Sequence, residues 1–158
     1  MSNFFLNATL FLLGLFGMEV VAYCTHKYLM LGALWCLHED HHQPHEGFFE
    51  KNDWFGVFFS LPSIVLIYVG VHHYPPSLWL GLGIAGYGLV YFIFHDIIVH
   101  RRVPIPYRAR SAYMKRIVQA HWVHHATRTR EGAVSFGFIY SPPIDELKAA
   151  RATHKGVN

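Results

Sequence analysis

Charged side chains are scarce in this sequence: Lys, Arg, Asp and Glu make up 15% of 158 residues, against roughly 25% in an ordinary soluble domain. With 53% hydrophobic residues and a mean hydropathy of +0.22, that shortage points to a membrane protein. Cysteine is nearly absent as well. Cys24 and Cys36 lie in or beside apolar sequence, which excludes a disulfide framework and the four-thiolate set that an iron–sulfur cluster needs, and suggests a reducing compartment. The length leaves no room for a second domain of ordinary size, so residues 1–158 are read as one unit. A flavin or nicotinamide fingerprint is missing too. "GLGIAG" from Gly81 to Gly86 fits G-x-G-x-x-G but lies inside an apolar run with no strand before it, and is read as close helix packing.

Long apolar runs are present. Phe4–Tyr23, Trp54–Val71 and Leu78–Phe94 each approach the ~20 residues that cross a bilayer as a helix. The start of the first run lacks the basic flank and small-residue cleavage site of a signal peptide, so it is expected to be retained. The fold expected is all-α, a multi-pass membrane protein of three to four spanning helices. Placing the N-terminus outside puts residues 24–53 and everything after about 97 on the inner face, together with every lysine and arginine, as the positive-inside bias requires. The basic run "RRVPIPYRARSAYMKR" adjoins the third span. It is read as touching anionic headgroups rather than nucleic acid, with Arg101 to Lys115 as a further docking surface for an acidic protein.

Histidine is the residue in excess, with 13 copies. The predicted topology sends His72 and His73 to the outer side, as polar residues closing a span before Pro75 and Pro76, and the rest to the inner side. On a helix, i, i+3 and i+4 share a face, so His38, His41 and His42 in "HEDHH" converge, as do His121, His124 and His125 in "HWVHH". Six imidazoles held close repel when protonated and need partners when buried neutral. Metal ligation meets both needs, and each cluster is expected to hold one ion. "FHDIIVHRR" adds His95 and His100, which diverge by about 140° on an ideal helix, and His26 ends the first span. That is more imidazole than one ion accepts, so two metals are expected. A lone histidine near an apolar face is ordinarily a hydrogen-bonded core or interface residue, the reading that suits His45 and His154.

"HEDHH" also fits H-E-x-x-H through His38, Glu39 and His42, the pattern of a zinc protease, but that leaves the second cluster without a role. A histidine-rich metal transporter or sensor is the non-enzymatic alternative. It should spread ligands along a path through mid-membrane, and these gather at one face. All-nitrogen ligation without thiolate favours redox iron over structural zinc. The substrate would come from the lipid phase along an apolar channel, for which the flanking aromatics Phe48, Phe49, Trp54, Phe55, Tyr91, Phe92, Phe94, Trp122, Phe136 and Phe138 are candidates.

The array "HKYLMLGALWCLHEDHHQPH", "FHDIIVHRR" and "HWVHH" followed by "EGAVSFGFIYSPP" resembles the bacterial β-carotene hydroxylases that form zeaxanthin, within the membrane fatty-acid hydroxylase and sterol desaturase superfamily. The resemblance runs from Gly17 to Pro143. It implies a non-haem di-iron centre that hydroxylates C3 of a β-ionone ring (β-carotene to β-cryptoxanthin and zeaxanthin) with O2 and electrons from a ferredoxin and its reductase. It also implies an inner-membrane location with the site on the cytoplasmic side. Carried over by position, the iron ligands are His26, His38, His41, His42, His95, His100, His121, His124 and His125, with no catalytic side chain beyond them. One departure stands out: the family's first box is H-x-x-x-x-H, and its second histidine falls on Leu31. Either one iron is under-coordinated there and completed by water, or a neighbour such as His45 or Glu19 takes the histidine's place, or this member has drifted in activity; the expectation is two metals, one of them under-coordinated.

Overall fold

The computed structural model describes residues 2–43 and 47–155, and all regular elements among them are helical. Helix α1 (Ser2–Cys24) runs on without a break into a π-helical segment, Thr25–Ala33. The chain then kinks at Gly32 into a short α2 (Trp35–His38) and a 3-10 turn, Glu39–His42. Helix α3 (Asp53–His72) crosses back, and α4 (Pro75–Tyr91) returns and likewise ends in a π-helical segment, Phe92–Val99. Two shorter helices, α5 (Ala112–His125) and α6 (Ile144–Lys155), follow.

Three helices are long and apolar enough to cross a membrane: Asn3–Ala33, Asp53–His72 and Pro75–Val99. They extend the three runs expected from sequence at their ends. Their outward faces show why the chain is so hydrophobic. Phe5, Leu13 and Val20 on α1 and Leu61, Val65 and Tyr68 on α3 are exposed, a surface stable only against lipid.

Helices α1 and α3 each pack along α4 but not along each other. The glycines of "GLGIAG" make the first contact possible, as expected: a Cβ on Gly83 would stand 2.2 Å from the Phe11 carbonyl oxygen and 3.0 Å from the Cα of Gly14. With α4 as a common floor, the gap between α1 and α3 becomes a slot. Helix α5 is different in kind, amphipathic and capped by Ser111, whose Oγ accepts from the Met114 N–H at 3.1 Å. Its apolar face closes a small core in which Ala120 meets Val134 and Leu147 of α6.

Candidate metal site

Nine histidines meet at one end of the three long helices, where α1 and α4 finish and α3 starts. Their grouping is not the one the sequence spacing implies. His26, His38, His42 and His124 form one set, and His41, His100, His121 and His125 a second; within each, the ligand nitrogens lie within 4.8 Å of one another. His95 completes the second set, its Nε2 2.9 Å from that of His41. Each H-x-x-H-H cluster is thus divided between the two sets instead of holding one ion. The division follows one rule in both clusters: the residues four apart, His38 with His42 and His121 with His125, stay together, and the residue between them, His41 or His124, joins the other set. It holds whether the backbone is the 3-10 turn over Glu39–His42 or the regular helix α5. Across the divide the rings interleave, with His42 stacked on His125 at a centroid separation of 4.6 Å, so the two foci lie side by side.

The expected divergence of His95 and His100 is also corrected. The π-helical segment is closed by an N–H of His100 donating to the His95 carbonyl at 2.9 Å. Such an i to i+5 turn brings residues five apart onto one face, and the two rings end with centroids 4.4 Å apart. Leu31 stands in the same relation to His26 within the other π-helical segment. One set accordingly has four imidazoles and the other five.

Six of the nine rings have their tautomer fixed by oxygen acceptors. The Nδ1–H of His26 donates to the Phe136 carbonyl (3.2 Å), His38 to Asn52 Oδ1 (2.7 Å) and His41 to Glu50 Oε2 (2.6 Å). His42 donates to the Thr127 carbonyl (2.8 Å), His95 to Asp96 Oδ1 (3.0 Å) and His124 to the Val134 carbonyl (3.0 Å). With the proton at Nδ1, each of these rings turns a bare Nε2 lone pair inward. Yet Nε2 atoms of such rings stand 3.1 Å apart for His26 and His38, for His38 and His42, and for His42 and His124. Two lone pairs face to face at that distance repel, and a shared cation is what relieves them. Protonation is not the remedy. Burial, with repulsion from neighbouring imidazoles next, holds His41, His121 and His124 well below the ordinary range. Burial likewise brings His38 and His100 down to about 3. The donor sets fit metal ions that accept neutral nitrogen.

A cavity of about 500 Å³ fills the slot between α1 and α3. Its deep wall is apolar, with Ile67 and Ile84, and its inner end reaches His26, Asn52 and Asp96. His26 is the one ligand candidate that lines it. Of the aromatics expected there, Phe55, Tyr91, Phe92, Phe136 and Phe138 do line it. Phe94 does not, and Phe48, Phe49, Trp54 and Trp122 are 55–80% exposed on the outer surface.

The fatty acid hydroxylase family model matches residues 11–148. The chain belongs to that family. Similar proteins include the beta-carotene hydroxylase of Pantoea ananas, 46% identical over 150 residues, which is 95% of this chain and 86% of that one. The beta-carotene hydroxylase of Paracoccus sp. (strain PC1) is 47% identical over 132 residues, 83% of this chain and 82% of the relative. A chloroplastic beta-carotene hydroxylase 2 of Capsicum annuum is 36% identical over 147 residues, 90% of this chain and 47% of the longer plant protein. No solved structure matches the chain.

In this family member, several site residues are invisible to spacing arguments. Arg102, read from sequence as part of a basic outer surface, turns inward instead: it grips Asp53 with two N–H groups at 2.7 Å each and donates to Asp96 Oδ1 at 3.0 Å. It thereby ties the acceptor of His95 to the start of α3, beside Glu50 and Asn52. Glu19, considered as a stand-in ligand, is already engaged. Its Oε1 accepts the backbone N–H groups of Phe138, Ile139 and Tyr140 (2.8–3.2 Å) and its Oε2 the Tyr87 hydroxyl at 2.8 Å. A carboxylate inside a spanning helix is costly unless partnered; here it pins the segment whose carbonyls hold His26 and His124. His45, the other stand-in, lies outside the described residues. Glu39, which a zinc protease would need as its base, is exposed and accepts from Gln43 at 3.1 Å. His72 and His73 sit at the far end of α3, about 30 Å away by helical rise, and His154 is exposed on α6.

Proposed function

We propose that this chain hydroxylates the β-ionone ring of a carotenoid, taking β-carotene through β-cryptoxanthin to zeaxanthin, with two non-haem irons, O2 and external electrons. The observation that carries this reading is the pairing of two inward-facing sets of Nε2 lone pairs with the inner end of an elongated apolar cavity, in a chain 46% identical to a beta-carotene hydroxylase over nearly its whole length. His26, His38, His42 and His124 would hold one iron, and His41, His95, His100, His121 and His125 the other. Bound iron would supply the oxygen-reducing chemistry that side chains lack.

The balance of the reaction defines what the chain must and need not do. One C–H bond of the ring becomes C–OH, one oxygen atom of O2 enters the product, and the other leaves as water after two electrons and two protons arrive. The sequence carries neither a nicotinamide or flavin fingerprint nor a cysteine cluster, and on this reading the electron supply is assigned to an external ferredoxin and its reductase. The chain's own residues bind and orient. The slot between α1 and α3 opens toward lipid and admits an apolar polyene lengthwise, while Tyr91, Phe136 and Phe138 wall the inner end and keep water from the ring. The acceptors Asn52, Glu50, Asp96 and the carbonyls of Thr127, Val134 and Phe136 hold six of the nine imidazoles aimed. The same reading puts this end at the cytoplasmic face of the inner membrane, in keeping with the positive-inside bias, and takes residues 1–158 as a single domain.

Expression in a β-carotene-producing bacterium tests the proposal. Extracted pigment should contain β-cryptoxanthin and zeaxanthin; unchanged β-carotene, with the protein present in the membrane and iron supplied, contradicts it. Turnover by the purified protein with NADPH and O2 alone would contradict the external electron supply.

A further inference from the structure

A second cavity, of about 430 Å³, opens on the outer side of the metal end, between the close of α4, the 101–109 segment and α5. Three cations line it, Arg101, Arg108 and Lys115, and no acidic side chain does. None of the three makes an ion pair or a side-chain hydrogen bond among the described residues. The contrast with Arg102 is pointed: that residue is paired twice over with carboxylates, while its neighbour Arg101 takes a left-handed backbone, φ 53°, that sends it to the opposite side. An arginine rarely adopts that conformation. The remaining wall is amphipathic, with the apolar Ile98 and Val118 beside Tyr107 and a Trp122 that is 57% exposed.

We infer that this cavity is a binding site for the phosphate headgroup of an anionic phospholipid. The depth is right for one, since Ile98 belongs to the last turn of a spanning helix and aromatic residues gather at headgroup level. The charge is right too: a phosphodiester meets three unpaired cations, with the glycerol and upper chain against Ile98, Val118 and Trp122. Basic pockets at the inner ends of spanning helices take such headgroups. An acidic protein would meet the same charge, but the cavity is concave and partly apolar, which suits a headgroup and not a rigid protein face. The bound lipid would bridge the residues flanking His100 to α5, which carries His121, His124 and His125, and so brace the second histidine set. The inference rests on the chain lying in a membrane, and not on the reaction proposed above.

The test is native mass spectrometry of the purified full-length, metal-loaded chain, released from micelles containing equal amounts of phosphatidylglycerol and phosphatidylcholine. One phosphatidylglycerol should be retained in preference to phosphatidylcholine by about tenfold. The variant R101Q/R108Q/K115Q should lose that preference, while R128Q/R130Q/K148Q, with the same charge change elsewhere, should keep it. Equal retention of the two lipids overturns the proposal, as does equal loss in both variants. Retained preference in the first variant also overturns it, and so does displacement of the lipid by an acidic ferredoxin at low micromolar concentration, which would make the cavity a protein-docking surface.

Discussion

Leu31→His should turn the weaker of the two metal positions into one that matches its neighbour. Both spanning helices that end at the site do so in a π-helical turn, and in each a histidine opens a five-residue interval: His26 to Leu31 in one and His95 to His100 in the other. The second interval delivers two imidazoles to one set, with ring centroids 4.4 Å apart; the first delivers one. Replacing a residue that only orients a ligand changes metal affinity about 10- to 100-fold, and a missing ligand should cost no less. The His26 set is therefore expected to release its ion at about 100-fold lower chelator than the His41 set, a difference of about 2.8 kcal/mol. Stepwise chelation of the iron- or cobalt-loaded protein, followed by metal analysis, should show two phases of one equivalent each. In Leu31→His the earlier phase should move toward the later. A single phase in the native chain, or an early phase unmoved by the added histidine, would refute the reasoning.

Other perturbations follow from the partners of the ligands. Glu19→Ala removes the acceptor of three backbone N–H groups, so the 134–140 segment should detach and metal content fall from two per chain toward one, the loss confined to the His26 set. Glu19→Gln, which keeps an oxygen acceptor, should lose less; unchanged stoichiometry in Glu19→Ala would count against it. Arg102→Lys should weaken the His95 position about 10- to 100-fold, because an ammonium cannot grip Asp53 with two parallel N–H groups and reach Asp96 as well; metal titration of the variant checks this. Gly83→Leu should prevent the α1 and α4 crossing, where even a Cβ would meet the Phe11 carbonyl, and a folded, monodisperse protein in detergent would contradict that. His72→Ala with His73→Ala should leave product yield within a few-fold, since both lie at the far end of α3.

The spanning helices were legible in the sequence because lipid exposure demands apolar residues on every face, a signal that does not depend on tertiary detail. The histidine convergence was legible for a related reason, since two H-x-x-H-H repeats on separate segments have no bland explanation. The allotment of those histidines to two sets was not legible. Spacing says that i, i+3 and i+4 share a broad face, not that two foci lie side by side on it, so the parting of His41 from His38 and His42, and of His124 from His121 and His125, shows only in the fold. The meeting of His95 with His100 depends besides on a π-helical turn that departs from the 3.6-residue period. The acceptors behind the rings were hidden for another reason. Thr127, Val134 and Phe136 contribute backbone carbonyls, which no side-chain pattern reports. Arg102 looked like its basic neighbours, and only the fold shows that it faces two carboxylates. Leu31 was conspicuous only because a resemblance supplied the histidine expected there.

Isotopic labelling tests the central claim most directly. Cells making β-carotene and this chain would be grown under ¹⁸O2 in ordinary water, beside cells carrying His124→Ala. The account predicts that each hydroxyl of the cryptoxanthin and zeaxanthin formed carries the heavy oxygen, and that the His124→Ala cells make neither pigment. Hydroxylated carotenoid bearing oxygen from water, or formed at an undiminished rate without His124, would contradict it.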